Sequence, residues 1–135
     1  MTRQRPADDV RILIVEDNED FCLLMQTVLQ DAGYIVDCAA CAEDALLMLE
    51  QQNYRLVVSD YSLPGYSGRW LLSQAFERRL LTPDKALMVT GDPEAPGVAG
   101  VVPVVPKPVD FEHLLPKIRT VVERQSPMEA DGAAA

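Results

Sequence analysis

Three short runs of the chain are apolar at every position: Ile12-Leu13-Ile14-Val15, Leu56-Val57-Val58 and Ala86-Leu87-Met88-Val89. A strand with one wet face alternates apolar and polar residues. A strand that does not alternate is covered on both faces. Covered strands belong to parallel sheets, in which a helix carries the chain from each strand to the next. The segments between the runs have the required helical patterns. Asn18 can cap a helix that Glu19 and Asp20 favour at its positive end, with Phe21, Leu24, Met25, Val28, Leu29 and Ala32 on one face and Gly33 as its stop.

The pattern therefore predicts strands over residues 10–15, 34–38, 56–59, 86–89 and 101–105. Further helices are expected over 42–52, 68–80 and 110–124, the first with Ala42, Ala45, Leu46 and Leu49 inward. Pro103 cannot donate to a ladder, so the fifth strand should lie at a sheet edge. Residues 91–100 hold two prolines and three glycines. They should form a loop or a single turn rather than a helix. Residues 1–9 and 126–135 read as tails around one domain, 10–125.

The length of 135 residues is enough to bury a core without staples. No apolar run approaches the roughly 20 residues of a membrane-spanning helix, and residues 1–9 have no apolar signal core, so the expected location is the cytoplasm. A net charge of −9 disfavours direct contact with nucleic-acid phosphates. The spacing Cys38-Ala-Ala-Cys41 suits a redox pair or half a zinc site. The third cysteine, Cys22, and the single histidine, His113, do not complete one, so small core residues are the better reading.

Ligands of an open parallel sheet bind beyond the carboxyl ends of its strands. Those ends carry Glu16-Asp17, Asp60, Thr90 and, after the fifth strand, Lys107-Pro108. Two unit charges about 4 Å apart cost about 4 kcal/mol at an effective dielectric near 20, so three acids on one rim need compensation. Lys107 can neutralise one, and an all-oxygen set suits Mg2+ for the rest. Metal, ammonium and hydroxyl together suit a phosphoryl group. A carboxylate can be the nucleophile that receives it, and Asp60, ending the central strand, is the candidate.

In these pieces the chain resembles the receiver domain of two-component response regulators: Ile12-Leu13-Ile14-Val15-Glu16-Asp17-Asn18, Asp60-Tyr61-Ser62-Leu63-Pro64-Gly65-Tyr66-Ser67-Gly68, Val89-Thr90-Gly91 and Lys107-Pro108. The resemblance spans residues 10–125. It implies a doubly wound, flavodoxin-like α/β fold with five parallel strands in the order 2-1-3-4-5. Asp60 would take phosphate from a histidine kinase or a histidine phosphotransfer protein. Asp17, Asp60 and the backbone carbonyl of Ser62 would bind Mg2+, Glu16 would act through water, and Thr90 and Lys107 would hold the phosphoryl oxygens. A signalling domain rather than an enzyme is implied, acting through a downstream protein partner.

Two features depart from that family. The stretch 91–100 leaves the fourth helix shortened or absent. Val104 stands where most members carry an aromatic that swings on activation. The positions of Ser62 and Asp92 resemble those that tune phosphate loss. Tyr66 and Trp70 read as packing residues. An alternative from another class is a pseudo-receiver that keeps the fold for protein binding without being phosphorylated. Flavodoxins, haloacid-dehalogenase phosphatases and Toprim nucleases need phosphate loops or Asp-x-Asp pairs that are not found after these strands.

Overall fold

A computed structural model describes residues 9–91 and 102–134, with side chains as far as Arg124. Five parallel strands form one sheet in the order β2-β1-β3-β4-β5: β1 Arg11–Val15, β2 Ile35–Ala39, β3 Leu56–Asp60, β4 Ala86–Thr90 and β5 Val104–Pro106. Four α-helices occur among the described residues: α1 Glu19–Asp31, α2 Ala42–Gln51, α3 Gly68–Glu77 and α4 Phe111–Ala134. A 3-10 turn, Pro83–Lys85, leads into β4. The expected loop at 91–100 falls almost wholly outside the described residues, as do Asp92 and residues 1–8.

Every residue of β3 and of β4 is buried, which is the double cover that their unbroken apolar runs require. Two cores result. One packs Leu13, Val15, Val57, Ala86 and Met88 against α2 and α3. The other packs Ile12, Ile14, Leu56, Val58, Leu87 and Val89 against α1 and α4. Alternate residues of one strand thus serve opposite faces. Val104 is half-buried against the first of these cores.

Four elements differ from the pattern. The fifth strand begins at Val104 and takes in Pro106. Pro103 lies before it, where its carbonyl still accepts from Met88 N–H at 3.0 Å. As an edge strand it spares the proline a donor, as expected. In α1 the buried stripe is Cys22, Met25 and Leu29, not the wider face expected; Leu24 is exposed, about 100° round the helix from Met25. The backbone of α4 continues as helix to Ala134, past residue 124. Finally, α3 stops at Glu77, three residues early. Arg79 N–H donates to Phe76 O and Leu80 N–H to Ala75 O, closing a Schellman cap with Arg79 at φ 62. That left-handed conformation, customary for glycine, costs a larger residue about 1–2 kcal/mol.

Candidate functional site

The carboxyl-end rim is assembled by three strand ends and the β5–α4 connection. β1 ends at Val15, so Glu16 and Asp17 project from the rim before α1 begins. Glu16 N–H donates to Ala39 O at 2.9 Å, tying this turn to β2. The Asn18 side chain caps α1 by accepting from Phe21 N–H at 2.9 Å. Asp60 is the last residue of β3, with Val89 opposite it in register. Thr90 ends β4 opposite Pro106, and its carbonyl accepts Lys107 N–H at 2.9 Å. The Lys107–Pro108 peptide is cis.

These elements bring the charged groups together. Lys107 Nζ donates to Asp60 Oδ2 at 2.9 Å and lies 3.6 Å from Glu16 Oε1. One oxygen each of Glu16, Asp17 and Asp60 fall within 4.8 Å of one another. Glu16, Asp60 and Thr90 are buried, whereas Asp17 is exposed. Asn18 N–H donates to Glu16 Oε2 at 3.1 Å, and Ser62 N–H donates to Asp60 Oδ1 at 3.3 Å. Burial raises the pKa of Glu16, an effect its bond from Asn18 opposes and the Asp60 charge adds to. Partial burial pushes Lys107 down, but the hydrogen bond and charge of Asp60, with Glu16, outweigh it and hold the ammonium above its ordinary range. Lys107 therefore stays charged.

The structure thus gathers Glu16, Asp17, Asp60 and Lys107 into one cluster and sets Thr90 and Ser62 at its margin. All donors in the acidic set are hard oxygens, the chemistry that Mg2+ or Ca2+ takes. His113 is solvent-facing and paired with Asp110 at 2.9 Å, away from any ligand role here. Tyr66 and Trp70 stack with centroids 4.0 Å apart, and Tyr66 remains exposed. All three cysteines are free, although only Cys22 is fully buried. Burial and contact with Cys22 push the Cys38 thiol up to about 12, which favours the protonated form.

Several supports escaped the sequence reading. Gly68 opens α3 directly beneath the site: a methyl group there would overlap the Asp60 carbonyl oxygen and sit 2.8 Å from Ser59 Oγ. Its own N–H donates to Tyr61 O at 2.8 Å. The glycine is required by this close backbone approach. Ser59, fully buried, donates its hydroxyl to that same Asp60 carbonyl at 2.9 Å. The Phe21 ring lies 5.5 Å from Lys107 Nζ, within cation–π reach. Only Gly68 carried a signal, as the final glycine of the Asp60–Gly68 piece.

The doubly wound parallel sheet in the order 2-1-3-4-5, with an acid cluster and a lysine at its carboxyl rim, places the chain among the flavodoxin-like receiver folds. The family model of the response regulator receiver domain matches residues 12–119, and the chain belongs to that family. It is 31% identical over 124 residues to the transcriptional activator protein IrlR of Burkholderia pseudomallei, covering 90% of this chain and 54% of that protein. The chain spans about half the length of the curated relatives it matches. Among solved structures, a CheY-like receiver domain protein from Methanospirillum hungatei superposes with TM-score 0.80 and 31% identity, over 90% of this chain and 99% of that one. The response regulator TrrA from Thermotoga maritima, in complex with Mg(2+)-BeF, gives 0.75 and 28%, over 83% and 98%.

Proposed function

We propose that the chain is a phosphoacceptor switch in which Asp60 receives a phosphoryl group from the phosphohistidine of a sensor histidine kinase or a histidine phosphotransfer protein. The observation that carries this reading is the buried Asp60 carboxylate, hydrogen-bonded to Lys107 at 2.9 Å and within 4.8 Å of Glu16 and Asp17 oxygens. An Asp60 carboxylate oxygen attacks phosphorus, the P–O bond forms as the P–N bond breaks, and the leaving imidazole takes up a proton. Lys107 follows the charge from carboxylate to phosphoryl oxygen, and the Thr90 hydroxyl supplies a further donor.

Asp17, Asp60 and the Ser62 carbonyl would hold Mg2+, with Glu16 behind them. When bound, the ion neutralises charge on carboxylate and phosphoryl oxygens. Leu23 and Leu24, exposed on α1 just beyond Phe21, offer a donor protein apolar contact beside the site. The role is signalling through a protein partner rather than turnover of a separate substrate. A cytoplasmic location goes with a phosphohistidine donor and free thiols; no described helix is long and apolar enough to cross a membrane.

Incubation with acetyl phosphate and Mg2+, followed by intact-mass measurement, tests the proposal. A gain of about 80 Da that disappears in Asp60→Asn is expected, since a carboxamide is no nucleophile. An unmodified wild-type chain under acetyl phosphate and under every phosphohistidine donor would instead favour the pseudo-receiver reading.

A further inference from the structure

At the opposite end of the sheet, below the amino ends of β1 and β3, lies a second concavity of about 460 Å³. Four of its lining residues are Arg11, Arg55, Arg79 and Lys85, and none is acidic. The whole chain has twelve lysines and arginines against twenty-one acids, so one third of its cations gather at a single hollow. Arg11 pairs with Asp37 at 3.2 Å, and Asp37 also accepts the Tyr54 hydroxyl at 2.7 Å. Among the described residues neither Arg79 nor Lys85 has an ion-pair partner. Asn53 and Thr82 add neutral hydrogen-bonding side chains at the same wall.

The backbone supplies a second and independent observation. Arg79 occupies the left-handed cap position of α3 at φ 62, where glycine would be unstrained. Strain at a single residue points to a use for its side chain. That side chain is a guanidinium on the rim of a cationic hollow.

We propose that this hollow binds an anion with two or more linked phosphoryl groups, such as pyrophosphate or the polyphosphate tail of a nucleotide. Arginine forks match phosphoryl oxygens bidentately, and lysine adds a point charge. The cations come from β1, the turn before β3, the end of α3 and the 3-10 turn, so an extended anion can use them together. A volume of about 460 Å³ also exceeds what one tetrahedral anion fills, since a water takes about 30 Å³. The inference is independent of the role given to Asp60.

Amide chemical-shift titration of the full chain at constant ionic strength, with pyrophosphate, ATP and sulfate in separate arms, tests it. Saturable shifts at residues 53–55 and 79–85 are expected with pyrophosphate and ATP, and weaker ones with sulfate. Equal affinity for the first two assigns recognition to the phosphoryl groups; tighter ATP adds a contact to the nucleoside. Arg79→Ala with Lys85→Ala should weaken binding about tenfold or more, the loss expected for two charge-assisted contacts. Arg79→Gly should weaken binding while leaving Tm equal or higher, which separates lost recognition from lost folding. Shifts that never saturate, that centre on residues 16–18, 60–62 and 107, or that survive the double substitution overturn the proposal.

Discussion

The two ends of the parallel sheet hold charge in opposite ways. At the carboxyl rim, Glu16 and Asp60 are 5% and 6% exposed, and the Lys107 ammonium lies between them. At the amino end, cations of the opposite sign line an open hollow, half-buried or exposed. Charges removed from water must be compensated by close partners, whereas charges left in water need none. Substitutions should therefore be costly at the first rim and mild at the second.

Activity gives the widest separation. Asp60→Asn should abolish formation of the aspartyl phosphate. Lys107→Met should slow it by about 10²–10³-fold, the range for loss of one preorganised charge donor. Arg79→Ala, at the other end, should leave the rate as in wild type. Phosphate incorporation from a common donor measures all three. A Lys107→Met rate within a few-fold of wild type would mean that proximity to Asp60 is not a catalytic contact.

Stability should show the next largest effect, at Gly68. A methyl group there meets the Asp60 carbonyl and Ser59 Oγ, both held in a buried strand end. Overpacking of this kind costs about 1–3 kcal/mol. Urea unfolding of Gly68→Ala should show that loss as a lower midpoint with an unchanged slope. A slope change would indicate that the strand end had come apart.

The acidic rim also sets a pH dependence. Glu16 has a folded pKa above its usual 4.5, because burial and then the neighbouring Asp60 disfavour its charge. The folded state therefore holds this proton more tightly than the unfolded chain. Its contribution is complete below about pH 4.5 and is lost as pH rises through the folded pKa. Lys107 is raised as well, so its contribution persists to alkaline pH and is lost only as pH rises past the ordinary lysine range. Across the acid-to-neutral interval Glu16 therefore lowers stability as it ionises. Glu16→Gln should flatten the fall in Tm there, and millimolar Mg2+ should raise the wild-type Tm at neutral pH. A parallel pH profile for Glu16→Gln would show that its carboxylate is not strained.

The rim was more legible than the hollow for a physical reason. Consecutive apolar residues mark a covered strand, so Glu16, Asp60 and Thr90 could be placed at strand ends without coordinates. Lys107 was legible in the same way, although β5 begins three residues later than its valines suggest. Residues of the hollow share no such register. Arg11, Arg55, Arg79 and Lys85 are scattered through the chain, and only the sheet brings them to one place. The end of α3 was misread because an arginine, not a glycine, takes the left-handed cap. Leu24 was misread because a helix on one sheet face buries a narrower stripe than its apolar residues could cover. Gly68 appeared as part of a motif, but its closeness to Asp60 is a distance and has no sequence signature.

The smallest expected effect is a control on the whole contrast. Arg78 Nη1 and Glu50 Oε2 form an ion pair at 3.0 Å between α3 and α2, with both side chains more than 40% exposed. Its length is close to that of the Lys107–Asp60 contact at 2.9 Å, so distance does not distinguish the two. Solvent does: exposed pairs contribute about 0–1 kcal/mol, because water screens them and both side chains lose freedom. Arg78→Ala should therefore shift stability by no more than about 0.5 kcal/mol, and high salt should remove part of even that. The chemical-denaturation midpoint in low and high salt reads the difference. If Arg78→Ala destabilises as much as Gly68→Ala, then helix-to-helix charge holds α2 to α3, and burial is not what separates costly positions from mild ones in this fold.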